Sequence, residues 1–178
     1  MKQLWAPWRM PYLKNDFPAG GHECIFCRKV HCEDDAKEHV LFRGQHCFIT
    51  LNLYPYNNGH MMVVPYRHIG KLEELDEPTV SEMMRLTQRA LRVLNAAYAP
   101  DGFNIGINQG EAAGAGIAAH LHQHIVPRWR GDTNYMTVIA ETRTIPEWID
   151  QTYERLKALW AEMFPEGKGE KEPHESET

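Results

Sequence analysis

The run His120-Leu121-His122-Gln123-His124, followed by Ile125-Val126, decides how this chain is interpreted. Alternate side chains of a β-strand face the same way, so a strand here places the three imidazoles on one face. Imidazoles are costly to bury without partners, and three at a spacing of two favour chemistry or metal binding over packing. A neutral ring nitrogen is available as a nucleophile near neutral pH while a hydrogen bond holds the other.

The pattern around this run predicts one α+β domain with a largely antiparallel, five-stranded sheet and two main helices. Period-two segments and turn residues predict strands at 39–43, 47–53, 61–65, 103–109 and 120–127. Helical spacing predicts helices at 78–98 and 146–163. The first helix is expected to bury Val80, Met83, Met84, Ala90, Leu91, Leu94, Ala97 and Tyr98.

Composition is that of an ordinary globular protein, and it argues mildly against a nucleic-acid partner. The 178 residues are 43% hydrophobic and 24% charged, with a net charge of -5. No apolar run approaches the roughly 20 residues that cross a membrane, and no secretory segment is evident. A cytoplasmic location is therefore expected, with the four cysteines as thiols or metal ligands.

The two ends of the chain are expected to differ from the middle. Residues 1–20 are rich in Trp and Pro and predict an arm, anchored by Trp5, Trp8 and Tyr12, that lies on a partner subunit or on its own domain. Residues 21–164 are expected to form the domain. Residues 165–178 are charged, lack apolar side chains after Pro165, and predict a disordered tail.

The histidine run, with its two apolar residues behind it, resembles the signature of the histidine triad (HIT) superfamily. The resemblance extends from about Cys24 to Arg130 and implies a HIT-like fold. It implies that His122 attacks the α-phosphorus of a nucleotide and that His124 contacts the phosphate. It also implies that the backbone carbonyl of His120 orients the nucleophile and that His60 supports the triad.

The same resemblance implies a set of substrate contacts. Asn52 occupies a ribose position and Gln109 a phosphate position. Independently of the resemblance, loop glycines such as Gly114 and Gly116 would let backbone N–H groups approach an anion, unless the loop is only a flexible connection. Arg128 is a candidate for distant phosphates or the acceptor, unless it is solvated surface charge. Many relatives carry Ser or Thr in the 110–119 loop, whereas this loop has no hydroxyl side chain.

The spacing Cys24-Ile25-Phe26-Cys27 is typical of a zinc knuckle, and a redox pair has the same pattern. Two cysteines need two further ligands for a closed tetrahedral site. The resemblance to zinc-carrying HIT proteins implies His68 and His120 as those ligands. It thereby implies a structural zinc site that ties the N-terminal segment to the catalytic strand.

The branch that the chain most resembles is that of bacterial diadenosine tetraphosphate phosphorylases, on stretches such as 51–57, 62–67 and 126–129. That branch implies a covalent nucleotidyl-histidine, release of ATP, and attack by inorganic phosphate to give ADP. Water as acceptor makes the enzyme a hydrolase. An adenosine phosphoramidase would use the same triad with a different leaving group, and a non-catalytic nucleotide-binding module would keep the fold alone. A homodimer is expected, with no nucleic-acid or membrane partner.

Overall fold

The computed structural model describes residues 24–132 and 145–165. Within them lie three α-helices, two short 3-10 helices and five strands. The helices are α1 (Ile25–His31), α2 (Glu77–Tyr98) and α3 (Ile149–Met163). The strands are β1 (Val40–Arg43), β2 (Cys47–Leu51), β3 (Met61–Pro65), β4 (Gly102–Ile107) and β5 (Gln123–Arg128).

The five strands form one antiparallel sheet in the order β1-β2-β3-β5-β4. The predicted fold class is therefore confirmed, with local corrections at strand ends. β1 starts after His39, whose left-handed φ of 54° breaks the extended backbone. β2 ends before Asn52, because the Asn52 side-chain oxygen accepts the N–H of Tyr54 at 2.9 Å and starts a turn.

Helix α2 lies on one face of the sheet and begins at a capped N-terminus. The side chain of Asp76 accepts the N–H of Thr79 at 3.0 Å, and Ala99 ends the helix in a left-handed conformation. The predicted burial of Val80 and Met84 is wrong, since these side chains are 41% and 55% exposed.

A polar residue of α2 is buried in place of those apolar ones. The Glu82 carboxylate accepts three backbone N–H groups from the β1–β2 hairpin, at 2.5–3.0 Å. These bonds offset the cost of burying a charge and rotate the buried stripe away from Val80 and Met84. Apolar spacing alone carries no sign of such a contact.

Side-chain alternation divides the sheet into two packed faces. One face packs against α2 and α3, and the other packs against α1. In β3, Met61 and Val63 face the first core, whereas Met62 and Val64 face the second. In β5 the same alternation puts Ile125 in the first core, so the preceding His124 points to the α1 side.

Helix α1 was not expected from the sequence. A helix of seven residues is too short to show a helical period of apolar side chains. Phe26 is its one fully buried apolar side chain. The buried Lys29 ammonium donates to the backbone carbonyl of Glu38 and pairs with the Glu38 carboxylate. Helix α1 is thereby fixed to the chain that leads into β1.

Helix α3 begins at Ile149, three residues later than predicted. The expected arm at 1–20 and most of the expected tail lie outside the described residues. No helix in the described ranges is both long and apolar enough to cross a membrane.

Candidate active site

The histidine run lies where β5 begins, on the face that α1 covers. The strand starts at Gln123, so His124 is in β5 while His120 and His122 precede it. The N–H of Leu121 donates to the Ile69 carbonyl at 2.6 Å, which fixes the approach to the strand. The rings of His122 and His124 meet edge to face at 4.9 Å. The three histidines therefore lie together as predicted, although only the second half of the run is in a strand.

His122 has one ring nitrogen committed to its own backbone. Its Nδ1 lies 2.9 Å from the carbonyl oxygen of His120, which can only accept, so Nδ1 carries the proton. In a neutral ring, Nε2 then holds the lone pair. Burial lowers the pKa of His122, which is 5% exposed, and keeps the ring neutral at physiological pH. The geometry thus leaves a neutral ring nitrogen with a lone pair that is available for nucleophilic attack.

His60 and His124 form a hydrogen-bonded pair, here called the relay. The positions of its protons follow from the backbone N–H of Tyr56. The backbone N–H of Tyr56 donates to His60 Nδ1 at 3.1 Å, so the proton of neutral His60 sits on Nε2. That Nε2–H donates to His124 Nδ1 at 2.9 Å. His124 therefore carries its own proton on Nε2, as a donor to an anionic oxygen.

Both rings of this relay are held neutral. Burial and the neighbouring histidines lower the pKa of His60 to about 3 and that of His124 to about 4. The relay therefore offers an N–H donor of fixed direction without a fixed charge.

Phe26 of α1 connects the knuckle to the histidines. Its ring centroid lies 5.3 Å from that of His120 and 5.0 Å from that of His122. The side chain is 1% exposed. Two rings of the run are therefore packed against α1 as well as held by hydrogen bonds.

Two predicted substrate contacts already have partners within the chain. The Asn52 amide donates toward His60 Nδ1 at 3.4 Å, so Asn52 lies beside the relay. Gln109 Oε1 accepts the N–H of Leu72 at 2.8 Å, and its Nε2 donates to Glu73 at 3.0 Å. An amide nitrogen carries two protons, so this contact with Glu73 uses one of the Gln109 donors.

The predicted glycines and Arg128 are placed differently. Gly114 adopts a φ of +86°. A Cβ added to Gly114 or Gly116 would meet no atom within 4 Å, so the loop surface is open there. Arg128 makes two bonds to the Asp132 carboxylate, at 2.6 and 2.8 Å, and one to Asn104 at 2.6 Å. Its positive charge is therefore balanced within the chain.

Sequence reasoning missed Tyr56 and Asn57, which support the site from the loop before β3. Tyr56 supplies the N–H that fixes His60, and Asn57 donates to the Pro127 carbonyl at 2.9 Å and to Asp132 at 2.8 Å. The turn-rich composition of 54–59 indicated a loop. Nothing in that composition indicated which backbone group would face His60.

The four predicted metal ligands converge. The ligand atoms of Cys24, Cys27, His68 and His120 all lie within 4.8 Å of one another. His120 Nδ1 is 3.3 Å from Cys24 Sγ and 3.6 Å from Cys27 Sγ, and His68 Nδ1 is 3.1 Å from Cys27 Sγ. Bonds of about 2.3 Å to sulfur and 2.0 Å to nitrogen put tetrahedral zinc ligands about 3.5 Å apart.

The position of the proton on the His120 ring also suits binding of a metal ion. Its Nε2 donates to the Pro65 carbonyl at 2.9 Å, which leaves the Nδ1 lone pair directed to the cysteines. Burial lowers the pKa of His120 and favours this neutral form. The donor set and its spacing therefore fit zinc.

The antiparallel sheet, the buried histidine run and the adjoining Cys2His2 cluster define an α+β domain with a candidate histidine-dependent active site. The family model described as HIT domain matches residues 33–131, and the chain belongs to the HIT family. It is 40% identical to the AP-4-A phosphorylase of Mycobacterium tuberculosis, over 90% of this chain and 85% of that protein.

Other relatives support the same family. The solved structure of a Zn-bound histidine triad family protein from Mycobacterium smegmatis matches with a TM-score of 0.65 and 29% identity, over 81% of this chain and 97% of that chain. The bis(5'-adenosyl)-triphosphatase of Saccharomyces cerevisiae is 31% identical over 52% of this chain and 45% of that protein.

Proposed function

We propose that this protein is a nucleotidyltransferase that cleaves diadenosine tetraphosphate by phosphorolysis, with ATP and ADP as products. The observation that carries the proposal is the bond from His122 Nδ1 to the His120 carbonyl, which leaves Nε2 as a nucleophile. The 40% identity to a phosphorylase over most of both chains supports this choice of substrate.

The first step is an attack on one α-phosphorus. The Nε2 lone pair of His122 forms a P–N bond, and the bond from that phosphorus to the bridging oxygen breaks and releases ATP. The His120 carbonyl accepts from Nδ1–H throughout and stabilises the positive charge that develops on the ring. The Nε2–H of His124 donates to an oxygen of the transferred phosphoryl group.

The second step restores the enzyme. An oxygen of inorganic phosphate attacks the adenylyl phosphorus, the P–N bond breaks, and ADP leaves while its electron pair returns to Nε2. Division of one difficult displacement into two easier ones is the gain of covalent catalysis. Attack by water in place of phosphate gives AMP.

The absence of a hydroxyl side chain in the 110–119 loop favours a polyphosphate leaving group over an amine. The terminal phosphate of ATP has its last pKa near 6, so it leaves at neutral pH with little need of a proton. An amine leaves only after protonation, which calls for a general acid. A phosphoramidase activity therefore fits this loop less well.

We further propose that Cys24, Cys27, His68 and His120 bind a structural zinc ion. The support is their convergence and the direction of the His120 lone pair. When bound, the ion crosslinks α1 to the catalytic run. This holds in place the His120 carbonyl that accepts from His122.

We also infer a cytoplasmic, homodimeric protein. All four cysteines lie in the described residues and none is in a disulfide, as expected of a reducing compartment. The exposed Val80 and Met84 on α2 offer an apolar contact surface. Sedimentation equilibrium of the full chain tests the dimer, and a monomer at micromolar concentration contradicts it.

Product analysis tests the proposed reaction. Diadenosine tetraphosphate is incubated with the protein, with and without inorganic phosphate, and the nucleotides are separated. ATP plus ADP formed only with phosphate supports the phosphorylase. ATP plus AMP without phosphate indicates a hydrolase, and absence of turnover indicates a binding module.

A further inference from the structure

An open cleft borders the relay on the same face of the sheet, over the paired strands β4 and β5. Its volume is about 570 Å³, which lies in the range of small-molecule sites. His124 forms one wall, so the cleft adjoins the position of the transferred phosphate. The lining residues are Pro55, Tyr56, Asn104, Ile105, Gly106, Asn108, His124, Val126 and Arg128.

The floor of the cleft comes from two paired strands. In the β4–β5 register, Gly106 lies opposite His124 and Asn104 lies opposite Val126. A Cβ built on Gly106 has no atom within 4 Å, so the missing side chain leaves space directly beside His124. A ligand can therefore extend from the phosphate site along the sheet.

The charge of the cleft indicates a nucleoside rather than more phosphate. Its cation, Arg128, is paired with Asp132 and bonded to Asn104. Besides the His124 ring, the remaining polar groups of the lining side chains are the amides of Asn104 and Asn108 and the Tyr56 hydroxyl. Amides hydrogen-bond the edges of a base or the hydroxyls of a ribose without attracting a polyanion.

Tyr56 supplies an aromatic wall. Its side chain is 48% exposed, and its ring centroid lies 5.6 Å from that of His124. Stacking of a base on an aromatic side chain contributes substantially and tolerates any base. The wall stands next to the phosphate contact, and Asn52, the predicted ribose contact of the transferred nucleotide, does not line this cleft.

We propose that this cleft binds the nucleoside of the leaving nucleotide, with its base against Tyr56 and its ribose over Gly106. The inference rests on the proposed function and names the part of the enzyme that selects dinucleotides. It follows that a leaving group without a nucleoside loses these contacts.

The test compares diadenosine tetraphosphate with adenosine 5'-tetraphosphate. Attack at the α-phosphorus expels three phosphates from both, but a nucleoside is attached only in the first. We expect the wild type to prefer the dinucleotide by about tenfold or more in kcat/KM. Equal kcat/KM values overturn the inference. Turnover of neither substrate overturns the proposed function as well, which distinguishes the two failures.

Two glycines of β4 provide a matched pair of variants. Gly106→Leu fills the cleft and should abolish the preference for the dinucleotide. Gly102→Leu adds the same side chain at a β4 glycine that also has open space but does not line the cleft, and the preference should persist. An equal loss for both substrates in Gly106→Leu, or the same loss of preference in Gly102→Leu, overturns the inference.

A second pair of variants keeps the test valid if Gly106→Leu misfolds, and melting curves detect such misfolding. Tyr56→Ser removes the aromatic wall, and we expect it to lower the preference about tenfold through KM for the dinucleotide. Tyr56→Phe keeps the ring and should retain the preference. Loss of the preference in both variants, or in neither, contradicts the stacking role.

Discussion

His60 and His124 work as neutral rings, and their state ties stability to pH. The pKa of His60 is lowered to about 3 and that of His124 to about 4 by burial and neighbouring histidines. The unfolded chain binds protons on histidine near pH 6.5, before the folded protein does. Protonation therefore favours the unfolded state as the pH falls below that value.

We predict that the free energy of unfolding falls as the pH drops from about 6.5 toward 4. The slope is at most about 1.4 kcal/mol per pH unit for each such histidine. Urea unfolding at several pH values measures it. His124→Gln should flatten the slope relative to the wild type, whereas His31→Gln, at the exposed end of α1, is the control for loss of a histidine. An unchanged slope in His124→Gln contradicts the neutral relay.

For single residues, the sequence predicted which side chains form the site better than it predicted where their protons lie. The three histidines and the cysteine pair are visible as spacings, and the resemblance supplied His60 and His68. The position of each proton depends on groups that only folding brings near, such as the Tyr56 N–H and the Pro65 carbonyl. No local pattern contains that information.

Among the elements, the segment 69–74 after β3 runs along the loop that enters β5. The Ile69 carbonyl accepts from Leu121 at 2.6 Å, and the Leu72 N–H donates to Gln109 at 2.8 Å. A Cβ on Gly70 would lie 2.6 Å from the Ala118 carbonyl oxygen, so only glycine allows this approach. The segment therefore sets where His120 and His122 lie.

We predict that Gly70→Ala lowers kcat about tenfold or more, because displacement of Ala118 moves His122, the proposed nucleophile. Steady-state kinetics with diadenosine tetraphosphate measure the change. Gly102→Ala is the matched control, since its Cβ meets nothing within 4 Å. Full activity of Gly70→Ala would show that the close approach has no role in positioning His122.

Metal removal should act on α1 more than on the rest of the fold. We predict that chelation lowers the melting temperature and speeds hydrogen exchange across 25–31, and that added zinc reverses both. Cys24→Ser should lose stoichiometric zinc, whereas Cys32→Ser should retain it, because Cys32 lies outside the cluster. Zinc content that is the same in both variants contradicts the proposed ligand set.

The strands were predictable because alternation and turn residues are local signals. Met61–Pro65 matches its prediction, and the hairpin lies at Gly44 as expected. Helix α1 was missed because long-range contacts of Cys27, Phe26 and Lys29 fix it, in place of an amphipathic face. The late start of β5 reflects the pairing of Leu121 with Ile69, a long-range contact.

Across the whole molecule, Glu147 joins parts of the chain that lie far apart in sequence. Its carboxylate accepts from Tyr98 at 2.5 Å, from Thr152 at 2.8 Å and from Asn58 at 3.2 Å. Although burial raises the pKa of Glu147, these donors outweigh it and lower the pKa. The end of α2, the start of α3 and the loop that precedes His60 meet at this group.

We predict that Glu147→Gln lowers the free energy of unfolding by about 1–3 kcal/mol, because hydrogen bonds to a charged acceptor are replaced by weaker ones. Urea unfolding at neutral pH measures the loss. Glu154→Gln, on the exposed face of α3, removes the same charge without this network and should change stability by less than about 0.5 kcal/mol. Equal stability of the two variants contradicts the role assigned to Glu147.

The overall architecture was the most predictable level, since element order and alternation already specify an antiparallel sheet with helices. Which side of α2 is buried was not predictable from the sequence. The buried Glu82 rotates the helix through contacts with a hairpin 35–37 residues earlier in the chain. Networks around Glu147 and Asp132 likewise join loops whose sequences show only turn residues. Their partners are set by tertiary packing.

The most direct test of the catalytic proposal is the mass of the protein during turnover. After rapid mixing with diadenosine tetraphosphate in phosphate-free buffer and quenching without acid, we predict a species heavier by one adenylyl group. Peptide mapping should place that group on His122, and added phosphate should discharge it as ADP. An adduct on another residue, or turnover by His122→Ala at the wild-type rate, would contradict His122 as the nucleophile.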